Sequence, residues 1–112
     1  MLSKINRVRK KKDFEAIFAK NKVFKNKFLS LRVAKNNLPE SRFGFVVSKK
    51  ISQKAVVRNK IRRRLSDIIH KNIKKIKTGT DVVFIAVPGI EKNNFPEIKE
   101  ATENILIKAG LL

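Results

Sequence analysis

The chain has 112 residues, no Cys, and 28 Lys and Arg against 9 Asp and Glu, a formal charge of +19. That length builds one domain around a modest core, and an apolar share of 42% is too high for a disordered tail. A disulfide framework and a thiolate metal site are excluded by the lack of Cys, and a membrane span by the lack of any run of about 18 apolar residues.

The basic start, Met1 to Arg7, leads into no apolar stretch of the kind a secretory signal needs. A reducing, cytoplasmic location is therefore expected. Residues 1–80 carry 25 basic and 4 acidic side chains, and residues 81–112 carry 3 and 5. The positive field thus belongs to the first two thirds of the chain, where it repels itself unless a polyanion neutralises it. Nucleic acid is the commonest such partner. An anionic membrane calls instead for a basic helix with a wide exposed apolar face. Here the apolar stripes have other elements of the same chain to cover, so no membrane partner is expected.

Residues 1–12 are basic and aperiodic and read as an extended or mobile arm. Asp13 is a plausible N-cap for a short helix in which Phe14, Ile17 and Phe18 share one face. Asn21 is a reasonable stop, because Asn tolerates the left-handed conformation. Residues 24–35 alternate like a strand, with Leu29, Leu31 and Val33 on one side and Phe28, Ser30 and Arg32 on the other. Asn36-Asn37-Leu38-Pro39 is turn chemistry, and residues 42–48, with Phe43, Phe45, Val46 and Val47, form a second strand. The simplest arrangement pairs these two strands as an antiparallel hairpin.

A long helix follows over residues 55–76, with Val57, Ile61, Leu65, Ile68, Ile69 and Ile76 as its apolar stripe, and Thr78-Gly79 ends it. Residues 81–87 are nearly all apolar and read as a buried strand closed by Pro88-Gly89. The last helix begins at Asn94 with Glu97 in capping-box spacing. Ile98, Ala101, Ile105 and Ala109 line its inner face, and Gly110 caps it. The order α-β-β-α-β-α gives an α+β sandwich with a small mixed sheet. The second and third strands, joined through the long helix, should be parallel.

The long helix carries the chemistry. Lys54, Arg58, Lys60, Arg62, Arg63 and Arg64 crowd its first half, and Asp67 is the only acid between Ser41 and Thr80. Ion pairs along the helix therefore cannot explain the pattern. At about 100° per residue, Arg58 and Arg62 flank the apolar stripe on one side and Lys60 and Arg64 on the other. Asn59 and Arg63 lie on the outer face. Guanidinium forks pair with phosphate oxygens and stack on bases, so this face suits a nucleic acid. Basic residues alone do not separate RNA from DNA.

The run from Lys54 to Leu65, with Arg58-Asn59-Lys60 at its centre, resembles the Arg-Asn-Arg signature of the bacterial ribonuclease P protein family. The approach from Phe43 through Ser48, Lys49 and Lys50 to Ile51 resembles that family too. So does the opening Arg9-Lys10-Lys11-Lys12-Asp13-Phe14 with a second Phe at 18. The resemblance implies one RNA-binding domain over residues 1–112 and a left-handed βαβ crossover, an exception to the usual hand. It also implies partners: the ribonuclease P RNA and precursor tRNA, with no DNA expected. Lys54, Arg58, Asn59, Lys60, Arg62, Arg63 and Arg64 would contact the catalytic RNA. A cleft between the first helix and the sheet would hold the single-stranded 5′ leader, with Phe14, Phe18, Ser48, Lys49 and Lys50 as its residues. From periodicity alone Phe14, Ile17 and Phe18 read as plain core; the resemblance reassigns the two Phe and leaves Ile17 inside. The family often has a Tyr near Leu31, and this chain has neither Tyr nor Trp, which implies fewer stacked bases or a different use of Phe28.

No catalytic set is visible in the residues. His70 is the only His, and Glu97, Glu100 and Glu103 read as a solvated helix face rather than a metal site. The resemblance implies the protein subunit of an endoribonuclease whose RNA subunit binds Mg²⁺ and cleaves during tRNA 5′ maturation, with no catalytic or metal-binding residue in this chain. The alternative is a ribosomal protein or RNA chaperone, which shares the charge and small fold and lacks the leader cleft.

Overall fold

The structure is a computed structural model that describes residues 2–112. Its elements are a 3-10 turn at Lys4–Asn6, α1 (Lys11–Ala19), β1 (Lys22–Lys25), β2 (Leu29–Lys35), β3 (Arg42–Val46), α2 (Ala55–Asn72), β4 (Thr80–Ala86), a second 3-10 turn at Ile90–Lys92 and α3 (Phe95–Lys108). The four strands form one mixed sheet in the order β1-β2-β4-β3.

β4 lies inside the sheet, and both of its faces are apolar. Val82, Val83 and Phe84 are all fully buried, and only a strand covered on both sides satisfies such a run. It pairs antiparallel with β2, Leu31 opposite Phe84. It pairs parallel with β3, Phe45 opposite Phe84. The expected parallel pair across the long helix is therefore present. The expected hairpin is not: β2 and β3 run in opposite directions, but β4 lies between them. The segment read as one first strand is also two, because Asn26 folds it back. The Asn26 side chain accepts from the Phe28 and Leu29 N–H groups at 3.0 and 2.9 Å, and β1 then pairs antiparallel with β2.

Strand alternation sorts the side chains into two layers. Leu29, Leu31, Phe43, Val82 and Phe84 face α2 and α3, where they meet Ile61, Leu65, Ile69, Ile98 and Ile105 in the main core. On the other face a smaller cluster of Val8, Ile17 and Val83 seats α1. Each such buried aliphatic contributes about 1.5–3 kcal/mol, and α1 buries a single side chain, Ile17, where α2 and α3 bury four each.

The helix ends follow local chemistry. Asn94 and Glu97 make the expected capping box, and Gly110 (φ 75°) closes α3 with the Leu111 N–H donating to the Leu106 carbonyl. α1 starts earlier than expected, at Lys11, and Asp13 lies inside its first turn, where a carboxylate favours the helix dipole. Asn21 does not turn left-handed: its amide instead donates to the Ile17 and Phe18 carbonyls. Asn37, in the β2–β3 link, is the one non-glycine with positive φ among the described residues. α2 ends at Asn72, and Ile76 is buried in the turn that follows.

The N-terminal segment is docked, not free. Leu2, Asn6 and Val8 are buried. Asn6 donates to the Ser41 carbonyl at 2.9 Å and the Val8 N–H to the Phe43 carbonyl at 2.9 Å. Arg7 forms a parallel bridge with Phe43, so this segment covers part of the open edge of β3. Met1 of the expected arm lies outside the described residues, and Arg9 to Lys12 are exposed.

Candidate nucleic-acid interface

The register lays three rows of side chains across the sheet face that carries α1. They are Ala34–Asp81–Arg42, Arg32–Val83–Gly44 and Ser30–Ile85–Val46. α1 sits over the first two. Ile17 packs on Val83, the Phe18 ring lies 5.7 Å from the Arg32 guanidinium, and the Phe14 ring lies against the backbone of Gly44. A Cβ at Gly44 would come within 2.8 Å of Phe14 Cε1, so a glycine is what lets this ring down onto β3. The third row lies past the helix, and Val46 and Ile85 stay partly open. Lys25 of β1 extends that row beside Ser30. This face therefore presents Val46 and Ile85 partly open, the rings of Phe14 and Phe18 beside them, and cations at Arg32 and Lys25.

Two polar atoms in these rows lack partners. Ser30 Oγ and Arg32 Nε are buried and make no hydrogen bond. Such groups cost about 1–3 kcal/mol each unless something satisfies them. Phe18 is 42% exposed, unusual for so large an apolar ring. Exposed rings beside unpaired donors suit unstacked bases and their backbone.

The anchor beneath this arrangement is ionic. Arg42 donates from Nε to Asp81 Oδ1 at 2.9 Å and from Nη2 to Oδ2 at 2.7 Å. Its Nη1 also lies 3.4 Å from Asp13 of α1. The hydrogen bond to Asp81 holds the Arg42 guanidinium above its ordinary pKa, against the lowering effect of burial.

α2 divides the sequence candidates. Asn59, Arg62 and Arg63 line a groove of about 440 Å³ that continues past Ser66 to Phe45, Arg7 and Phe14. Asn59 accepts a hydrogen bond from Arg62, which holds both over this groove. One nitrogen of Arg58 donates to the Ser52 and Gln53 carbonyls, both at 2.9 Å, so Arg58 pins the loop before the helix. Lys54 and Lys60 are exposed and Arg64 half-buried, all off the groove. Ser48, Lys49 and Lys50 are exposed in the turn after β3, where the Ile51 N–H donates to the Ser48 carbonyl. The structure thus joins Phe14 to Asn59, Arg62 and Arg63 around the edge of β3, and the lysine turn begins two residues after Val46 at the end of that strand.

Leu31 is fully buried toward α2 and α3, and its neighbours Ser30 and Arg32 take the opposite face of β2. Phe28 packs against the main core under Lys27. The residues that sequence reasoning passed over are Arg7, Lys25, Ser30, Arg32 and Val46. Strand alternation had already set Ser30 and Arg32 opposite Leu29 and Leu31. It had not shown that α1 covers only part of their face.

Among the described residues no group of three or more His, Cys, Asp or Glu could hold a metal ion, and no helix is long and apolar enough to cross a membrane. His70 is exposed on α2.

Fold and surfaces together define a class: a small, strongly basic α+β domain with exposed aromatic rings on one sheet face and an arginine-lined helix beside it, a surface that suits polyanionic strands. The Ribonuclease P family matches residues 2–110. A ribonuclease P protein component of Clostridium botulinum (strain 657 / Type Ba4) is 39% identical over 109 residues, covering 96% of this chain and 97% of that protein. One from Alkaliphilus metalliredigens is 36% identical over 107 residues, covering 96% of each. Among solved structures, a Staphylococcus aureus RNase P protein mutant with defective mRNA degradation activity superposes with a TM-score of 0.92 at 27% identity, covering 97% of this chain and 92% of that one. The RNase P protein of Thermotoga maritima gives 0.84 at 31% identity, covering 91% and 96%. This chain belongs to the ribonuclease P protein family.

Proposed function

We propose that the chain is the protein subunit of a ribonuclease P ribonucleoprotein that matures the 5′ end of tRNA, with its arginine-lined α2 on the catalytic RNA and the single-stranded leader of precursor tRNA in the cleft beside α1. The observation that carries this reading is the groove that joins Asn59, Arg62 and Arg63 to Phe14. In this reading the two RNA strands lie side by side, with the edge of β3 between them.

The division of labour follows from the side chains. Phe14 and Phe18 offer π-faces to any base, which suits leaders of varied sequence. Arg32 and Lys25 neutralise the leader backbone. Arg62 and Arg63 offer forked donors to phosphates of the catalytic RNA. Among the described residues no group of three or more His, Cys, Asp or Glu could hold a metal ion, and the reading routes no cleavage step through this chain. In this reading Mg²⁺ belongs to the RNA subunit. The protein, working in the cytoplasm, lowers the repulsion between catalytic RNA and substrate.

The test is reconstitution. The purified chain, a bacterial ribonuclease P RNA and a precursor tRNA with a 5′ leader are mixed at low Mg²⁺. Cleavage at the mature 5′ end only when protein and RNA are both present supports the reading. Tight RNA binding without cleavage refutes it and points to a ribosomal protein or RNA chaperone.

A further inference from the structure

We infer that the N-terminal segment and the β2–β3 link form a further RNA backbone site, taking the continuation of the strand that lies on α2. A groove of about 570 Å³ runs between residues 4–13 and residues 38–42. Lys4, Arg7, Arg9, Lys10 and Lys12 line one side of it. The acids in its lining are Asp13 and Glu40, and Asp13 already faces Arg42 at 3.4 Å. The positive charge is therefore largely uncompensated, and a phosphate chain is the ligand that neutralises it most directly.

Three further observations point to a strand and not merely to a solvated basic surface. Arg7 Nε is buried with no hydrogen-bond partner, a donor set in place with nothing to receive it. Ile5 is 63% and Leu38 43% exposed, and both line this groove beside Pro39, giving apolar surface for a sugar or base between phosphate contacts. Arg7 also lines the groove beside Asn59 and Arg62, so the two grooves meet at its side chain. The backbone at Arg7 is fixed by the bridge to Phe43, which keeps that junction in place. A strand leaving α2 across β3 is led past Arg7 toward Lys10 and Lys12, on the side of α1 away from the leader cleft.

The inference rests on the proposed function, and the test separates the two. Binding of ribonuclease P RNA is measured against salt concentration for the full chain, for a triple variant (Arg9→Gln, Lys10→Gln, Lys12→Gln) and for a charge-matched control (Lys74→Gln, Lys75→Gln, Lys99→Gln). All six side chains are exposed, so both variants should fold. The triple variant should bind at least about tenfold more weakly and lose roughly 2–3 from the slope of log affinity against log salt, at about 0.7–0.9 per phosphate contact. The control should lose less than about 1. Equal effects in the two variants overturn the inference, as does a loss seen only when a leader-bearing substrate is present. A wild-type chain that fails to bind this RNA overturns the proposed function and the inference together.

Discussion

Arg42, at the start of β3, grips Asp81, at the start of β4, through two parallel hydrogen bonds of 2.9 and 2.7 Å. The pair spans the parallel half of the sheet and reaches Asp13 of α1, so one guanidinium fastens the strand edge to the helix that walls the cleft. Asn36 adds a third contact to Asp81 at 2.9 Å. Asp81→Ala leaves Arg42 partly buried without its main partner and should destabilise the fold by about 3 kcal/mol, read as a lower urea midpoint with unchanged slope. A loss under about 0.5 kcal/mol would show that solvent already satisfies Arg42.

Gly44 sets the height of the cleft wall. Gly44→Ala drives a methyl into the Phe14 ring and should cost about 1–3 kcal/mol as overpacking. In the holoenzyme it should also weaken precursor tRNA relative to mature tRNA, because the ring is displaced. Combining it with Phe14→Ala removes the clash, so the double variant should be more stable than the sum of the single losses predicts. Strict additivity by urea denaturation would show that the ring is not in contact with β3.

Phe18 is an exposed ring under Arg32, and its removal should separate stability from binding. Phe18→Ala should change stability by less than about 1 kcal/mol while weakening leader-dependent substrate affinity by about 1–3 kcal/mol, the worth of one stacked base. The comparison is between substrates with and without a leader. Equal weakening for both would remove Phe18 from the leader site.

Arg63 and Arg58 should behave differently although both lie on α2. Arg63→Ala should lower affinity for the catalytic RNA about tenfold at unchanged stability. Arg58→Ala also releases the Ser52 and Gln53 carbonyls, so it should lower affinity and the melting temperature together. Identical stability in the two variants would show that the loop does not depend on Arg58.

α2, β4 and α3 were readable because their signals are local: a 3.6-residue stripe, an apolar run and a capping box. Strand neighbours were not. A period of two tells which face a side chain takes and is silent on which strand lies beside it. The short link after Lys35 favoured a hairpin, yet β4 takes the place between β2 and β3. The arm hid its docking because Leu2, Asn6 and Val8 are too few and too unevenly spaced to show a period. At the site, Phe14 and the α2 arginines stood out by residue type and resemblance. Ser30, Arg32 and Val46 became visible only when α1 was seen to cover two rows of the sheet and leave the third.

Crosslinking can tell whether two different RNA strands occupy the two sides of the β3 edge. The chain has no Cys, so a single introduced thiol carries a photocrosslinker without ambiguity. Val46→Cys places it on the cleft floor and Ser66→Cys places it in the α2 groove, each in the assembled holoenzyme with precursor tRNA. Position 46 should crosslink to the 5′ leader and position 66 to the ribonuclease P RNA. Crosslinks from both positions to the same strand, or from position 66 to the leader, would show that the two sides of β3 do not hold separate RNA strands.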